Sequence, residues 1–114
     1  MMPSTVIVKM NTCGKTSRIT VSMRDDGDMD VKITTDCKNV QGYADRLTKV
    51  GMSDITDRHG SVILDPDVAA TLSATCLVQS GVLSAAWIEV GMLSGATCKR
   101  VHGNEVILDQ HDSQ

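Results

Sequence analysis

Two stretches of strict alternation between apolar and polar residues stand out in the first third of the chain. Residues 18–23 and residues 29–33 each have the period of two that is typical of a strand with one buried face. The apolar positions that share a face are Ile19, Val21 and Met23 in the first stretch and Met29, Val31 and Ile33 in the second. Residues 24–28 between them contain Asp26-Gly27, which favours a tight turn because glycine adopts a positive φ without steric cost. The pattern therefore predicts a half-buried β-hairpin.

Two further segments have the composition of strands. In residues 5–10, the side chains of Val6, Val8 and Met10 share one face. If sequential strands pair, this segment and the hairpin form a three-stranded antiparallel sheet in the N-terminal part of the chain. Residues 104–108 are expected to add one extra, C-terminal strand at a sheet edge.

The hydrophobic period changes to that of a helix after Cys37. Apolar residues recur at helical spacing over residues 40–50, and Gly51 is a suitable terminator. Asp36 or Asn39 is the expected cap, and either choice leaves the thiol of Cys37 close to the helix N-terminus.

Two more helices are expected in the second half of the chain. Asp65-Pro66 predicts a helix start, because aspartate caps a helix and proline suits its first turn. Residues 77–93 leave only a narrow polar strip, which predicts a buried helix lying across the sheet. Residues 52–60 are polar and turn-like, and residues 61–64 fit either a short strand or a packed loop.

Length and composition narrow the class of protein. The chain has 114 residues, which suits a single domain over residues 1–114, with an α+β fold in which two or three helices cover the sheet. The net charge of -3, with one Trp, one Tyr and no Phe, argues against nucleic-acid binding. No apolar run approaches the roughly 20 residues that span a bilayer. Residues 1–5 lack the features of a secretory signal, so a cytoplasmic protein without membrane contact is expected.

The four cysteines are the main candidates for chemistry. In a chain without an export signal, thiols that bind metal or react are favoured over disulfides. Cys13 precedes the first hairpin strand and Cys37 follows the second, so antiparallel pairing brings both thiols to one end of the sheet. Cys76 lies beside the start of the long helix. Thiolate sites for zinc or iron need three or four such ligands from separate segments.

The cysteine spacing alone leaves several hypotheses open. No Cys-x-x-Cys pair is present, so the stronger signature of a zinc ribbon or a ferredoxin-type site is missing. Isolated cysteines are also common as small buried hydrophobic residues. The alternative is therefore a non-catalytic interaction domain with structural cysteines, joined as a homodimer through residues 105–108. A third hypothesis is a redox switch that joins Cys13 to Cys37 in a disulfide.

The cysteines stand in an ordered set of elements: Cys13-Gly14, a hairpin with an Asp-Gly turn, Cys37 at a helix start and Cys76 at the start of a long helix. Over roughly residues 12–92, this order resembles the iron-sulfur cluster assembly scaffolds of the IscU and NifU N-terminal family. The resemblance implies that the three cysteines hold a nascent iron-sulfur cluster or a zinc ion and accept sulfur from a cysteine desulfurase. It implies a scaffold that serves a cluster-accepting protein, and no enzymatic activity. The chain is also similar to small uncharacterised cysteine-containing proteins of anaerobes, which implies no activity.

Two positions depart from the pattern of the scaffold family. Lys15 stands where that family has an aspartate that helps cluster release, and Thr75 stands where it has a histidine before the third cysteine. A protonated lysine does not coordinate metal as a carboxylate does, and a threonine hydroxyl is a weak ligand. The resemblance therefore implies three thiolate ligands, without the family's carboxylate and imidazole.

Cys98 and the histidines are weaker candidates. A helix of 17 residues spans about 25 Å, a distance that the five residues leading to Cys98 cannot easily cover on the way back, so Cys98 is not expected at the same site. His59, His102 and His111 are expected to be solvated. The acidic residues of segment 25–30 are better explained by turn chemistry than by a calcium loop. Without a glycine-rich phosphate loop or a serine elbow, hydrolase and nucleotide-binding functions have no sequence support.

Overall fold

The computed structural model describes residues 3–109 and contains an antiparallel sheet with helices packed on one face. The strands are β1 (Ser4–Met10), β2 (Lys15–Met23), β3 (Met29–Thr35) and β4 (Lys49–Val50). The helices are α1 (Lys38–Arg46), α2 (Met52–Thr56), α3 (Val78–Glu89) and α4 (Gly95–Val101). The strand order is β1-β2-β3-β4, so each strand pairs with its neighbour in sequence.

The predicted hairpin pairs in the register that its alternation requires. Ile19 of β2 lies opposite Ile33 of β3, and both side chains are buried. The connecting turn contains Gly27 with a φ of +91°, a conformation that costs glycine little because it has no Cβ. Met23, predicted on the buried face, is 39% exposed because it lies at the end of β2 beside this turn. The remaining apolar positions of both strands contribute to the core.

Helix α3 lies across β1 and β2, as predicted, and approaches them closely. The approach depends on Gly81, where a Cβ would lie 2.5 Å from Val8 Cγ2 and 2.7 Å from Ile19 Cδ1. Helix α1 packs against β3 and contributes Tyr43, which is fully buried. The Tyr43 hydroxyl donates a hydrogen bond of 2.9 Å to the carbonyl oxygen of Ile63. The core is thus formed by one sheet face, helices α1 and α3, and the buried side chains of Ile55 in α2 and Ile63 in a loop.

The predicted α+β fold class is confirmed, but the fourth strand is not where the pattern placed it. The strand β4 pairs with the start of β3, with Val50 opposite Met29. Residues 104–108, predicted to be a strand, form none. Because α1 ends at Arg46, residues 49–50 can pair with the start of β3 and form β4. The apolar side chains of the C-terminal segment stay exposed: Val106 at 71%, Ile107 at 70% and Leu108 at 68%.

Helix α1 is shorter than the apolar spacing predicts, because the last apolar position of that spacing belongs to β4. Its N-cap is Cys37 rather than Asp36 or Asn39, and no side chain caps it. The carboxylate of Asp36 instead accepts a hydrogen bond of 3.1 Å from the N–H of Thr16. This bond ties the end of β3 to the start of β2.

The segment between α1 and α3 differs most from the prediction. The polar stretch expected as a turn contains α2, where the Asp54 carboxylate accepts a hydrogen bond of 2.8 Å from the Gly51 N–H. The helix predicted from Asp65 is a series of turns. The Asp65 carboxylate accepts a hydrogen bond of 2.8 Å from the Asp67 N–H, as a helix cap does, and the Asp65 carbonyl accepts one of 2.9 Å from the Ala69 N–H, but no helix continues beyond this turn. Residues 61–64 form a packed loop rather than a strand.

The long helix predicted over residues 77–93 is shorter in the structure. Helix α3 ends at Glu89, and Gly91 follows with a φ of +83°. Helix α4 then occupies a segment predicted to be a loop, and its cap Ser94 accepts a hydrogen bond of 3.1 Å from the Thr97 N–H. Within residues 3–109, no helix combines the length and hydrophobicity needed to cross a membrane.

Candidate functional site

A cavity of about 200 Å³ opens at the end of the sheet remote from the Gly27 turn. Three cysteines from separate segments line it: Cys13, Cys37 and Cys76. Met10, Lys15 and Asn39 also contribute to its wall. Antiparallel pairing of β2 and β3 places the first two cysteines at this end, and the start of α3 brings the third. The structure thus brings the three candidate residues around one space.

Cys13 belongs to the tight connection between β1 and β2 and is exposed. The carbonyl oxygen of Met10 accepts hydrogen bonds from the N–H groups of Cys13, at 3.2 Å, and Gly14, at 2.8 Å. The Cys13 thiol lies 3.7 Å from the same oxygen. Gly14 has a φ of +69°, which lets the chain reverse immediately after the cysteine. The loop therefore holds the Cys13 thiol at the mouth of the cavity.

Cys37 is held where β3 passes into α1 and is half-buried. Its N–H donates a hydrogen bond of 3.1 Å to the hydroxyl of Thr35. That hydroxyl is also hydrogen-bonded, at 2.8 Å, to the hydroxyl of Ser17, a residue that is only 3% exposed. A chain of hydrogen bonds from β2 thus fixes the backbone at Cys37.

Cys76 lies two residues before α3 and is half-buried. Its N–H donates a hydrogen bond of 3.1 Å to the carbonyl oxygen of Ser73. The next N–H, of Leu77, donates to the thioether sulfur of Met10 over 3.4 Å. Met10 therefore contacts both the Cys13 loop and the Cys76 segment. The sequence pattern identified Met10 only as an apolar strand position; its place directly before a cysteine loop was the available signal.

The wall of the cavity combines sulfur, apolar groups and one cation. Val40 and Leu72 supply apolar surface, and Lys15 supplies an ammonium group. No histidine, aspartate or glutamate from the described part of the chain lines it. The chemical character of the cavity is thus that of a soft, sulfur-rich site.

Burial raises the pKa of Tyr43 in α1, and the charge of a Cys76 thiolate raises it further.

The three thiols share a cavity without forming a closed metal site. Within residues 3–109, no three side chains of the types His, Cys, Asp and Glu lie close enough together to hold a metal ion. All four cysteines are free thiols. An occupant that binds Cys13, Cys37 and Cys76 together must therefore span the space between them or draw them inwards.

The weaker candidates lie outside this cavity. Cys98 is on α4 and does not line it, as expected, although α3 is shorter than the 17-residue helix on which that expectation rested. His59 and His102 are exposed and do not line it either. His111 lies outside the described residues.

The acidic turn is explained by ion pairs. Arg24 contacts Asp26 at 3.3 Å and Asp30 at 3.0 Å, and Lys49 contacts Asp28 at 3.4 Å. Hydrogen bonding to the Asp28 N–H and the charge of Arg24 lower the pKa of Asp26. These carboxylates neutralise neighbouring cations, as expected for a solvated turn.

A second, wider cavity of about 530 Å³ lies between α2 and α3. Asp54, Asp57, Arg58 and Trp87 contribute to its wall. Asp54 already accepts hydrogen bonds from backbone N–H groups, and the indole of Trp87 donates one of 2.8 Å to the carbonyl of Ile55. Asp54 and Trp87 are thus engaged in the fold, and the cysteine-lined cavity is the stronger candidate.

Comparison with known proteins assigns a family. The chain belongs to a family of unknown function, DUF6951, whose profile matches residues 4–101. The matched region includes the whole sheet, the four helices and every residue that lines the cysteine cavity. No curated protein and no solved structure matches the chain.

Proposed function

We propose that this member of DUF6951 is a non-enzymatic scaffold that binds an iron-sulfur cluster or a zinc ion through Cys13, Cys37 and Cys76. The observation that supports the proposal is the position of three thiols, 24 and 39 residues apart in sequence, around one cavity. Thiolates are the preferred ligands of nascent clusters and of structural zinc. The resemblance to the IscU and NifU scaffolds points to the same three residues.

The space between the thiols favours a cluster over a single ion. Three sulfurs around one zinc ion each lie about 2.3 Å from the metal, which requires a compact arrangement. Within residues 3–109 the three cysteines do not converge as a set on one ion, and a cavity of about 200 Å³ lies between them. A polynuclear occupant with bridging sulfides fits this spacing with less movement of the backbone.

The different exposure of the three cysteines suggests separate tasks. The exposed Cys13 is the thiol that a cysteine desulfurase or a cluster-accepting protein reaches first. The half-buried Cys37 and Cys76 hold the cargo from inside the cavity. Each thiol releases a proton when it binds metal, so binding is stronger at higher pH. The ammonium group of Lys15 offsets part of the negative charge of the thiolates.

Anaerobic reconstitution tests the proposal. The purified chain is incubated with ferrous iron and sulfide, desalted, and analysed for iron, acid-labile sulfide and visible absorption; a parallel sample receives zinc. We expect bound iron and sulfide in the wild type, strong loss in Cys37→Ser, and retention in Cys98→Ser, the matched control outside the cavity. A wild type that retains neither cluster nor zinc, or equal binding by both variants, contradicts the proposal.

One observation favours the alternative of an interaction domain with structural cysteines. The apolar residues 106–108 are about two-thirds exposed or more. Thiol labelling of the folded protein separates the two functions. A metal scaffold predicts that bound cargo protects Cys13, Cys37 and Cys76 together, whereas structural cysteines keep the same labelling rates with and without iron and sulfide.

A further inference from the structure

Met10 joins two of the cysteine segments and brings a fourth sulfur to the cavity. Its carbonyl oxygen accepts the N–H of Cys13, and its thioether accepts the N–H of Leu77, the residue that follows Cys76. All three sulfur-bearing residues line the same space. Hydrogen bonds to Met10 thus link the Cys13 and Cys76 segments within the fold itself, whereas the backbone of Cys37 is bonded to Thr35 instead.

We infer that Met10, Cys13 and Cys76 form a binding site for Cu(I), and that Cys37 is not required for it. A thioether is a neutral, soft donor that suits Cu(I) and adds little to the binding of zinc, which prefers thiolate, imidazole and carboxylate. The Met10 sulfur has two lone pairs, so one accepts the Leu77 N–H and the other remains available to a metal. Among residues 3–109, no imidazole or carboxylate, the nitrogen and oxygen donors that borderline metals prefer, lines this cavity. Its other polar side chains are neutral, apart from Lys15.

The charges around this site favour a monovalent ion. Two thiolates and one Cu(I) carry a single negative charge, which the Lys15 ammonium at the cavity wall balances. A divalent ion with the same two thiolates leaves the positive charge of Lys15 unbalanced. The lysine that replaces the carboxylate of the scaffold family is thus compatible with Cu(I) binding.

This inference goes beyond the proposed function and needs a different set of residues. The cluster scaffold depends on all three cysteines, including Cys37. The Cu(I) site depends on Met10 and two cysteines. A variant of Cys37 and a variant of Met10 therefore distinguish failure of one proposal from failure of the other.

A competition titration tests the inference. The chain is titrated with Cu(I) under anaerobic conditions in ascorbate, against bathocuproine disulfonate as a coloured Cu(I) chelator. We expect Met10→Leu to weaken Cu(I) binding by about tenfold or more, and Cys13→Ser and Cys76→Ser to weaken it further. Met23→Leu, at the opposite end of β2, is the matched control and binds as the wild type does. Zinc affinity, measured with a zinc dye, stays within about twofold in Met10→Leu.

The Cu(I) site is overturned if the wild type withdraws no Cu(I) from the chelator, if Met10→Leu leaves the Cu(I) affinity unchanged, or if that variant loses zinc and Cu(I) affinity equally. Loss of Cu(I) binding in Cys37→Ser with Met10→Leu unaffected also overturns it. Because Met10→Leu keeps the side-chain volume, circular dichroism is expected to show an unchanged fold. A second measurement is independent of mutation: selenomethionine-labelled protein loaded with Cu(I) should show a selenium–copper distance in selenium-edge X-ray absorption. That signal must vanish in labelled Met10→Leu, which retains the other six methionines of the seven.

Discussion

The carbonyl oxygen of Ile63 accepts a hydrogen bond from the buried hydroxyl of Tyr43 at 2.9 Å. The same oxygen accepts a second hydrogen bond from the side-chain amide of Gln79 at 3.1 Å. One backbone group thus connects α1, a packed loop and α3. If either donor is lost, the other still donates a hydrogen bond to the carbonyl oxygen of Ile63.

Replacement of Tyr43 by Phe should have a small effect at neutral pH and a clear effect in alkali. Because Gln79 still satisfies the carbonyl of Ile63, we expect a loss of about 0.5–1.5 kcal/mol in the free energy of unfolding near pH 7. Burial raises the pKa of Tyr43 above its ordinary value of 10.0, so the folded chain retains a proton that the unfolded chain releases. The wild type should therefore lose stability as the pH rises above about 10.

Urea unfolding at several pH values measures this difference. Tyr43 is the one tyrosine of the chain, so Tyr43→Phe removes all tyrosine titration. The stability of wild type and variant should approach each other as the pH rises, because only the wild type loses the tyrosine contribution. Parallel curves throughout the alkaline range contradict the prediction.

Replacement of Gly81 by Ala should destabilise the fold although alanine favours helices. The new Cβ would lie 2.5 Å from Val8 Cγ2, a contact that forces α3 away from the sheet. We expect a net loss of about 1–3 kcal/mol by chemical denaturation, because overpacking outweighs the gain in helix propensity. Gly95→Ala in α4 is the matched control, since a Cβ added there would meet nothing within 4 Å. Equal stability of the two variants would show that α3 does not pack as described.

Replacement of Thr35 by Val should disturb the cysteine cavity from a distance. The change keeps the side-chain shape but removes the hydroxyl that bonds the Cys37 N–H and the Ser17 hydroxyl. We expect a loss of about 1–3 kcal/mol, because the polar groups left behind are partly or fully buried. Thr34→Val, on the exposed face of the same strand, should change stability little. Thermal unfolding of both variants tests this, and a larger loss in Thr34→Val contradicts it.

Replacement of Val106, Ile107 and Leu108 by serine should leave the fold intact. The three apolar side chains are largely exposed, so their removal costs no core packing. We expect an unchanged thermal midpoint and, by analytical ultracentrifugation, the same molecular mass for wild type and variant. A dimeric wild type that becomes monomeric on this change would support the homodimer hypothesis and contradict the expectation.

Periodicity predicted the sheet well and the helices of the second half poorly, for physical reasons. The alternation around Ile19 and Ile33 requires one face to be buried, so a different register would expose it. By contrast, the side chain of Asp65 bonds the N–H of Asp67 as a helix cap does, yet the chain continues in turns, because a cap alone does not extend a helix. Gly91 stops α3 through a positive φ, which apolar composition does not reveal.

The predicted strand pairing was enough to predict part of the site, whereas the rest depends on tertiary contacts. Antiparallel pairing of β2 and β3 was enough to place Cys13 and Cys37 at one end of the sheet. The position of Cys76 depended on how α3 crosses the sheet, for which the family resemblance was the guide. The role of Met10 required the three-dimensional structure, because a hydrogen bond between its sulfur and Leu77 joins residues 67 positions apart.

The open cavity between three chain segments makes any ligand that grips them a removable crosslink. It would connect segments that lie 24 and 39 residues apart in sequence, and because it binds the folded chain and not the unfolded one, it would stabilise the fold by mass action. Amide hydrogen exchange at the β1–β2 loop and the first turns of α1 and α3 should slow when such a ligand binds, while the opposite end of the sheet keeps its rate. Slower amide exchange at these segments would then show that the ligand is bound.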